Sequence, residues 1–491
     1  MILKIRKLIE ELNQSGVRYC HWKSNFALAE TVAGQTDVDL LVDRKEAAAF
    51  KKFLAQLDFR PAEYTYRERF PSTEHYYALD ETTGILVHVH VYFQVITGGS
   101  LSKNYRLPLE EMLLQNTREL DSLRIPTGGA ELVIFTLRMM LKHISLIELL
   151  LLAREWKHVK DEIDWLCEGD AIVEAASLVA NWVPPLEANL FSACVMALKS
   201  PSSIQHRIRL AYRMRSRLHV YKRHSDLRAW LSGAWHFIIM LRHRMTRSSI
   251  GMVPLSGGAV IAFVGPEATG KSTLLSNTND WLGEHFAVTR IHAGKPPATI
   301  LSAIPSLLLP FFRSLLPSLR PSRIDVQSAS DNQPEESRET YPLLSAIRAV
   351  LLAYDRRSLL ARAFRQAANG RIVLCDRYPS MLNGAPDSPV LLHLSALPGR
   401  YSIRRWLARL EEQLYRGIPP PDLILYLSVP LEIAMVRNQT RGKTEPEDYV
   451  RVRHAQSSNL NFGHIPVCKI NTDQPLSETV LEVKNTVWNA L

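Results

Sequence analysis

The stretch Gly265-Pro-Glu-Ala-Thr-Gly-Lys-Ser272 decides the fold that we expect for the second half of this 491-residue chain. It fits the spacing G-x-x-x-x-G-K-[ST], in which the backbone N–H groups of a Gly-rich loop surround phosphate oxygens. The residues before it, Ala259–Val264, form a continuous apolar run that is typical of a buried parallel strand. The residues after it continue toward Trp281 with a helical pattern. The stretch therefore predicts a strand, a phosphate-binding P-loop and a helix whose N-terminus faces the phosphates.

This loop predicts a site for ATP and Mg²⁺. The Lys271 ammonium group would reach the outer phosphates, and the Ser272 hydroxyl would be a Mg²⁺ ligand. The predicted nucleotide-binding residues are Gly265, Pro266, Glu267, Ala268, Thr269, Gly270, Lys271, Ser272 and Thr273. The alternative interpretation is a chance match in a Gly-containing loop, which the fitting residues on both sides disfavour.

Length and composition limit the class of protein. A chain of 491 residues is too long for one hydrophobic core, so several domains are expected. The five cysteines are scattered without a C-x-x-C spacing, which argues against a disulfide framework or a structural zinc site and favours a reducing cytoplasm. The charged N-terminus and the absence of a long uncharged apolar run predict neither a signal peptide nor a spanning helix.

Further landmarks follow the loop along the chain. They are a helical pattern over Tyr341–Phe364 that contains Asp355-Arg356, an apolar run that ends in Asp376-Arg377-Tyr378, another that begins at Pro421-Asp422-Leu423, a helix from Leu431 that carries Arg437 and Arg441, and a short last strand with a helix over Ser477–Leu491. Strands that alternate with helices predict a parallel sheet covered on both faces.

This ordered set resembles the thymidylate kinase family of nucleoside monophosphate kinases over nearly all of residues 255–491. The family's G-x-[DE]-x-x-G-K-[ST]-T loop matches Gly265–Thr273, with Glu267 at the acidic position. Its Asp-Arg pair, its Asp-Arg-Tyr segment and its Pro-Asp-Leu strand match the landmarks above, and its lid arginines match Arg437 and Arg441. The resemblance implies transfer of a phosphoryl group from ATP.

Phosphoryl transfer depends on positioning and on charge neutralisation. We expect Lys271, Mg²⁺, Arg437 and Arg441 to offset the charge on the transferring group, because the P-loop contains no arginine of its own. Asp376 would hold Mg²⁺ through water. The predicted acceptor-binding residues are Glu267, Arg356 and Arg377. The alternatives are a strand-end ion pair for Asp376-Arg377 and a solvated helix face for Arg437 and Arg441.

The segment that selects the acceptor departs from this family. Where the family has Arg-Glu-Pro-Gly, the chain has Arg290-Ile-His-Ala-Gly-Lys-Pro-Pro297, and an apolar, proline-interrupted insertion over 300–319 follows. Residues 318–339 are rich in Ser, Pro and charge, which predicts mobility. Thymidine monophosphate is therefore a possible acceptor and not the expected one.

The N-terminal region carries a second candidate site. Gly34-Gln-Thr-Asp37-Val-Asp39-Leu-Leu-Val42 predicts a strand on which Asp37 and Asp39 share one face, an arrangement that can hold Mg²⁺ with a triphosphate. The pattern resembles the polymerase-β-like nucleotidyltransferase superfamily over roughly residues 15–95. Lys23-Ser24-Asn25 stands at the family's Gly-Ser turn, and His88-Val-His90 stands on the hairpin strand that usually supplies a third carboxylate.

Alternatives remain open for each of these N-terminal residues. The two aspartates could be solvated at a strand end. His88 and His90 share a strand face and could either bind a metal ion or pack within a half-buried hairpin. The predicted second site comprises Lys23, Ser24, His88 and His90 with the Asp37–Asp39 pair.

The middle of the chain is helical in pattern and strongly basic near its end. Between His206 and Arg247 there are ten arginines and Lys222 against Asp226, a net charge of +10 that equals the formal net charge of the whole chain. These helices, interleaved with Trp230 and Trp235, either contact an anionic surface such as a membrane or pack with the aromatic residues inward. The sequence favours the second interpretation.

We therefore predict an α/β multidomain protein with three parts. These are a nucleotidyltransferase-like α+β domain over residues 1–125, a helical domain with a linker over 126–254, and a thymidylate kinase-like parallel-sheet domain over 255–491. The leading functional hypothesis is phosphoryl transfer from ATP to a small-molecule acceptor, in the cytoplasm or peripherally at an anionic membrane surface, without sequence-specific nucleic acid binding. The rivals are a nucleotidyltransferase with an auxiliary P-loop domain, and a non-enzymatic, nucleotide-gated binding module. The oligomeric state is not predicted.

Overall fold

The chain divides into one unit over Met1–Ser248 and another over Ser249–Leu491. The computed structural model describes residues 1–65, 70, 72–99, 103–143, 146–199, 204–245, 251–299, 343–380, 387–395, 403–440, 445–457 and 460–491. The predicted insertion over 300–339 and the predicted lid residue Arg441 lie outside the described residues. No helix among the described residues is long and apolar enough to cross a membrane.

The N-terminal unit begins with a mixed α/β region. Its helices and strands are α1 Leu3–Gln14, β1 Tyr19–His21, α2 Leu28–Val32, β2 Val38–Val42, α3 Ala47–Gln56, β3 Arg60–Tyr64, β4 Thr73–Leu79, β5 Leu86–Tyr92, β6 Val95–Thr97, β7 Tyr105–Leu107, α4 Glu110–Gln115, β8 Thr117–Leu120 and β9 Leu123–Pro126. Strands β1, β2, β5, β4 and β3 are neighbours in one sheet in that order. Only the β2–β5 pair among them is parallel.

Side chains alternate between the two faces of this sheet. Val38, Leu40 and Val42 of β2 pack with the apolar stripe of α1 and with Phe50 of α3. The opposite face carries Asp39, together with the histidines of β4 and β5. Because strand side chains alternate, the sequence places these polar groups on one side without breaking the core on the other.

A helical region completes the N-terminal unit. Its helices are α5 Gly128–Lys142, α6 Leu146–Leu166, α7 Ala171–Trp182, α8 Ala188–Lys199, α9 Ile204–Arg217 and α10 Asp226–Met245. One apolar core joins Trp22, Leu41 and Tyr92 of the sheet region to the buried residues of helices α5 to α9. The predicted division at residue 125 therefore crosses a shared core, because the apolar helices cover one part of the sheet.

The two basic helices differ in how they place their apolar residues. Trp230 and Trp235 of α10 are exposed, at 68% and 63% of their surface. In α9, by contrast, Leu210, Ala211 and Met214 lie in the core of the unit. The packed interpretation that the sequence favoured is therefore wrong for α10, because no neighbouring helix among the described residues covers its two tryptophans.

The C-terminal unit is an α/β fold built on a parallel sheet. Its elements are β10 Met252–Pro254, β11 Val260–Val264, α11 Lys271–Gly283, β12 Val288–His292, α12 Leu343–Ala368, β13 Ile372–Asp376, α13 Leu392–Ser395, α14 Ile403–Arg416, β14 Leu423–Ser428, α15 Leu431–Gln439, α16 Glu447–Ser457, β15 Val467–Asn471 and α17 Leu476–Asn489. The sheet has the order β12-β13-β11-β14-β15, and all of its pairs are parallel. Each residue of β11 and of β13 is buried, as expected for strands covered on both faces.

The strand order brings the predicted landmarks to one edge of the sheet. β11 lies at the centre, and Phe263 near its end is in register with Asp376 at the end of β13. His292 at the end of β12 is in turn in register with Asp376. Parallel strands end at the same edge, so the loop after β11 and the acidic end of β13 meet there.

Candidate functional site

The P-loop follows β11 directly and leads into α11. Gly270 has a φ of 84°, a left-handed conformation that favours glycine, and stands at the N-cap of α11. Gly265 has a φ of 150°, and a Cβ there would lie 2.3 Å from the Leu427 carbonyl oxygen of β14. Glycine at both ends therefore lets the loop turn sharply against the neighbouring strand. Ala268 (φ 63°) and Arg377 (φ 70°) also have left-handed backbone conformations, which concentrate at functional sites.

Lys271 is buried at the centre of this loop. Its Nζ atom donates hydrogen bonds to the carbonyl oxygens of Gly265, at 2.8 Å, and Pro266, at 2.5 Å. Burial lowers the pKa of Lys271 to about 8, against the raising effect of Glu267. The ammonium group is thus held inside the loop by backbone acceptors that phosphate oxygens can replace.

A cavity of ≈ 500 Å³ lies over the loop. Its lining includes the predicted residues Glu267, Ala268, Thr269, Gly270, Lys271, Ser272, Thr273, Asp376, Arg377 and Arg437, together with His292, Thr440, Thr472, Gln474, Leu476 and Thr479. The structure therefore brings together loop residues, the acidic strand end and one predicted lid arginine. A volume in this range is typical of small-molecule sites.

The residues present fit Mg²⁺. The Ser272 hydroxyl and the Asp376 carboxylate both line the cavity and are oxygen donors, the type that Mg²⁺ prefers. Asp376 is 8% exposed, and its Oδ2 atom lies 3.9 Å from Nδ1 of His292. The Ser272 hydroxyl and the Asp376 carboxylate are therefore the groups that would hold Mg²⁺ together with nucleotide phosphates.

Four charged side chains form a chain of ion pairs beside the loop. Arg377 contacts Glu267 Oε1 at 2.8 Å and Asp387 Oδ2 at 3.2 Å. The other carboxylate oxygen of Asp387 lies 3.3 Å from Arg356. Burial raises the pKa of Glu267, but Lys271 and Arg377 lower it more, so it lies below its ordinary value.

Arg356 is placed differently from the prediction. It is 2% exposed and donates to the carbonyl oxygens of Ala293 and Asp387, each at 2.8 Å, and to the Tyr415 hydroxyl. Its guanidinium group is therefore bound to protein acceptors. In this arrangement Arg356 holds Asp387, which in turn holds Arg377, while Arg377 itself lines the cavity.

The predicted lid arginines have separate outcomes. Arg437 lines the cavity, and its guanidinium group donates to the carbonyl oxygen of Thr472 at 2.8 Å. Arg441 lies outside the described residues, so its role stays a prediction.

Sequence reasoning missed three charged or polar contributors. Asp387 has no motif around it, and the Thr472–Gln474 segment follows the last strand without a distinctive pattern. Arg453 of α16 shares a small cavity with Gly265, Glu267 and Arg377, and its charge lowers the pKa of Glu267. Arg453 could have been considered as a further cation, but nothing in its sequence surroundings distinguishes it from Arg451 of the same helix.

A second cavity of ≈ 460 Å³ adjoins the same part of the unit. It is lined by Tyr378, Pro379, Tyr415, Arg416, Ile418, Pro420, Asn461, Phe462, Gly463 and Ile465. Tyr378 follows Arg377 directly, and Tyr415 contacts Arg356. The apolar and aromatic lining contrasts with the polar P-loop cavity.

The N-terminal site residues also lie together. Asp39 Oδ1 lies 2.8 Å from Lys23 Nζ and 3.3 Å from His90 Nδ1. Burial opposes ionisation of Asp39, but Lys23 and His90 hold its pKa well below the ordinary value. Ser24 has a φ of 60° and precedes a short 3₁₀ turn over Asn25–Ala27, at the place of the predicted Gly-Ser turn.

Asp37, His88 and His75 form a hydrogen-bonded chain. Asp37 Oδ1 lies 2.7 Å from His88 Nδ1, and His88 Nε2 lies 3.0 Å from His75 Nδ1. A carboxylate only accepts hydrogen bonds, so Nδ1 of His88 donates and Nε2 of a neutral His88 accepts from His75. Burial, with nearby His90 and His88, lowers the pKa of His75, which favours the neutral ring. The chain then ends in an acceptor at His75 Nε2.

These contacts bear on the predicted metal site. His90, in register with Asp39, occupies the strand position nearest the pair, and the aspartates already have Lys23 and two histidines as partners. Among the residues that the structure describes, no group of three or more His, Cys, Asp or Glu side chains could hold a metal ion. The Mg²⁺ site at Asp37 and Asp39 therefore stays a prediction, and its donor set is less suitable than that of the P-loop.

Comparisons with known proteins found distant similarities. No protein-family model matches the chain. The chain is 23% identical over 235 residues to the uncharacterized ATP-binding protein YghR of Escherichia coli K12 and to the YghR of an O6:H1 strain, a match that covers 46% of this chain and 86% of either relative.

Two solved structures each match about half of this chain. The deoxyadenosine kinase of M. mycoides with bound dATP is 15% identical, covers 46% of this chain and 98% of its own, and has a TM-score of 0.27. The thymidylate kinase of Candida albicans is 16% identical, covers 48% of this chain and 94% of its own, and has a TM-score of 0.28.

Proposed function

We propose that the C-terminal unit binds ATP with Mg²⁺ and transfers its γ-phosphoryl group to a small-molecule acceptor. The observation that carries this proposal is the joint lining of one cavity by the P-loop, by Asp376 and Arg377 at the end of β13, and by Arg437. The description of the relative YghR as an ATP-binding protein supports the nucleotide part.

Nucleotide binding would exchange the internal partners of Lys271 for phosphate oxygens. The Nζ atom now donates to the Gly265 and Pro266 carbonyls, and outer phosphates over the loop would take over these bonds. The N-terminus of α11, capped by Gly270, adds backbone N–H groups at the same place. Mg²⁺, held by Ser272 and Asp376, would neutralise phosphate charge.

The acceptor would bind on the Glu267 side of the loop. Arg377 and Arg453 line the small cavity there with Glu267 and Asp387. An anionic acceptor would compete with these two carboxylates for Arg377. In the reaction, an acceptor oxygen forms a bond to the γ-phosphorus while the bond from that phosphorus to the bridging oxygen breaks, which releases ADP.

A screen with γ-labelled ATP tests this proposal. Nucleosides, nucleoside monophosphates and phosphorylated or free sugars are offered to the full chain with Mg²⁺. Lys271→Ala should lower transfer by about 100-fold or more, because charge stabilisation at the transferring group is lost. Lys469→Ala, which changes an exposed lysine of β15, is the matched control. ATP binding without transfer to any acceptor would instead favour a nucleotide-gated binding module.

A further test of the proposal concerns the predicted lid arginines. Arg437→Ala should reduce turnover more than ATP affinity if the arginine acts on charge that develops during transfer. Arg409→Ala, on the exposed side of α14, is the control. Equal turnover in Arg437→Ala, Arg441→Ala and the unmodified protein would reject the lid assignment.

A second candidate function is binding of a Mg-nucleotide or sugar phosphate by the N-terminal unit. Two carboxylates favour this function. Asp37 directly precedes β2, and Asp39 lies within β2 beside Lys23. Calorimetry on the full chain carrying Lys271→Ala isolates this site from the P-loop. The same affinity after adding Asp37→Asn and Asp39→Asn would reject it.

A further inference from the structure

Helix α10 exposes a set of large apolar side chains. Leu227, Trp230, Leu231, Trp235, Ile238 and Leu241 are each about half exposed or more, and Phe237 is 39% exposed. Isolated exposed apolar residues are ordinary, but seven on one helix are not. An exposed apolar surface of this extent is typical of an interaction site. We call this surface the α10 stripe.

The α10 stripe is continuous along the helix. At about 100° per residue, its seven members fall within an arc of about 160°. The members of the stripe run from Leu227 to Leu241, so at 1.5 Å per residue the stripe extends along roughly 21 Å of the helix. Ser232 and His236 lie on the opposite side. The helix is thus amphipathic over residues 227–241.

Positive charge lies on the same helix and in the same segment of the chain as the α10 stripe. Arg228 and Arg242 lie on α10 itself and are exposed, and Arg209 and Arg213 are exposed on the preceding helix α9. The segment His206–Arg247 contains one acidic residue, Asp226, which is paired with Lys222 at 2.7 Å. Whatever covers the stripe must therefore offer an apolar surface beside negative charge.

We propose that α10 lies in the interface of an anionic lipid surface, with the α10 stripe toward the acyl chains and the arginines toward the headgroups. Tryptophan, leucine and isoleucine on one face with arginine beside them are the composition of interfacial helices. A nucleic acid supplies the negative charge but no apolar surface. A second copy supplies the apolar surface, but it would bring two segments of net charge +10 together.

This inference does not depend on phosphoryl transfer, since none of its residues lines any of the three cavities described in the C-terminal unit. The interaction should combine apolar burial with screened electrostatic attraction. The electrostatic part decays over a Debye length, which is about 30 Å at 0.01 M salt and about 10 Å at 0.1 M. Binding should therefore weaken as salt rises, while the apolar part persists.

Vesicle co-sedimentation of the full chain tests the proposal. The probes are vesicles of phosphatidylcholine alone and vesicles that also contain phosphatidylglycerol, each at 0.01 M and 0.1 M salt. The protein should sediment with the anionic vesicles, more strongly at low salt. Trp230→Ala with Trp235→Ala should weaken this binding by at least about tenfold, and Arg228→Glu with Arg242→Glu should do the same.

Matched controls separate the α10 stripe from general stickiness. Trp406→Ala removes a tryptophan that is 63% exposed on α14, and Arg409→Glu reverses an exposed charge on the same helix. Both variants should bind as the unmodified protein does. No binding to anionic vesicles at low salt, or equal binding by the α10 variants, overturns the proposal. The proposal would also be overturned, in favour of a second copy, if the protein did not bind vesicles but formed a dimer in solution that Trp230→Ala with Trp235→Ala abolished.

Discussion

Lys271 is a buried ammonium group whose pKa has consequences for nucleotide binding. Burial lowers this pKa to about 8 in the free protein, whereas phosphate oxygens favour the charged form and would raise it. Below pH 8 the free lysine is already protonated, so nucleotide binding takes up few protons. Above pH 8 the free lysine loses its proton, so binding must restore it. Affinity for ATP should therefore fall as the pH rises through about 8.

Calorimetry in buffers of different ionisation enthalpy measures this proton uptake. At pH 9 the unmodified protein should take up close to one proton (~1) per bound nucleotide, and at pH 7 almost none. Lys271→Arg keeps its charge over the whole range and should show no such uptake. Equal proton uptake at both pH values would contradict the assigned role of burial.

The Asp37–His88–His75 chain makes a second prediction at this scale. Because Asp37 accepts from Nδ1 of His88, neutral His88 should carry its proton on Nδ1 and neutral His75 likewise. Long-range ¹H–¹⁵N spectra distinguish the two tautomers. His88→Gln and His75→Gln identify the signals, and exposed His464 provides a solvent-averaged reference. A His88 ring protonated on Nε2 would disprove the chain as described.

At the scale of single elements, the P-loop depends on the close approach of β11 and β14. A side chain at Gly265 would meet the Leu427 carbonyl at 2.3 Å, so Gly265→Ala must separate the loop from β14. We expect a loss of roughly 1–3 kcal/mol of unfolding free energy, together with loss of ATP binding. Thermal and chemical denaturation with a nucleotide-binding assay would measure both.

Gly283 is the matched control for this substitution. It stands at the end of α11 and has an ordinary φ, and a Cβ added there would meet no atom of the described residues within 4 Å. Gly283→Ala should therefore leave stability and nucleotide binding nearly unchanged. If Gly265→Ala behaves in the same way, the close approach does not limit the loop.

Sequence patterns predicted these elements where local signals were strong. The apolar runs indicated β11, β13 and β14, and the hairpin predicted to carry His88 and His90 is the observed β4–β5 pair, with Leu79 opposite Leu86. The same reasoning could not place Asp387 or Arg453, because their roles arise from contacts across long sequence separations. It also favoured the wrong environment for α10, since an apolar residue has the same periodicity whether another helix covers it or not.

The five cysteines of the whole molecule differ in their exposure to solvent. Cys20, Cys167, Cys194 and Cys375 are buried and free, and Cys468 is partly exposed. Burial raises the pKa of the Cys194 thiol to about 12 and also raises the pKa values of the other three buried thiols. The thiolate is the reactive form, so these groups should react slowly.

Thiol titration with a disulfide reagent tests this expectation. The native protein should show about one fast-reacting thiol, and the denatured protein should show all five. Cys468→Ser should remove the fast phase and leave the slow one. Several fast thiols in the native state would mean that the buried environments open readily.

The net positive charge of the whole molecule is concentrated in one segment. The segment His206–Arg247 carries the entire formal excess of +10, so the remaining residues sum to zero. The proposed attraction to an anionic surface would therefore be concentrated in this one segment, and it would orient the surface toward α10.

The burial of Arg356 constrains how related sequences can diverge. Its guanidinium group joins Ala293, Tyr415 and both the backbone and the side chain of Asp387, and a lysine has neither the planar fork nor the number of donors to replace it. Loss of Asp387 alone would strand a cation inside the unit, and loss of Arg356 alone would release Asp387 onto Arg377. Positions 356, 387 and 415 should therefore co-vary in any alignment of related chains, changing as a set or not at all.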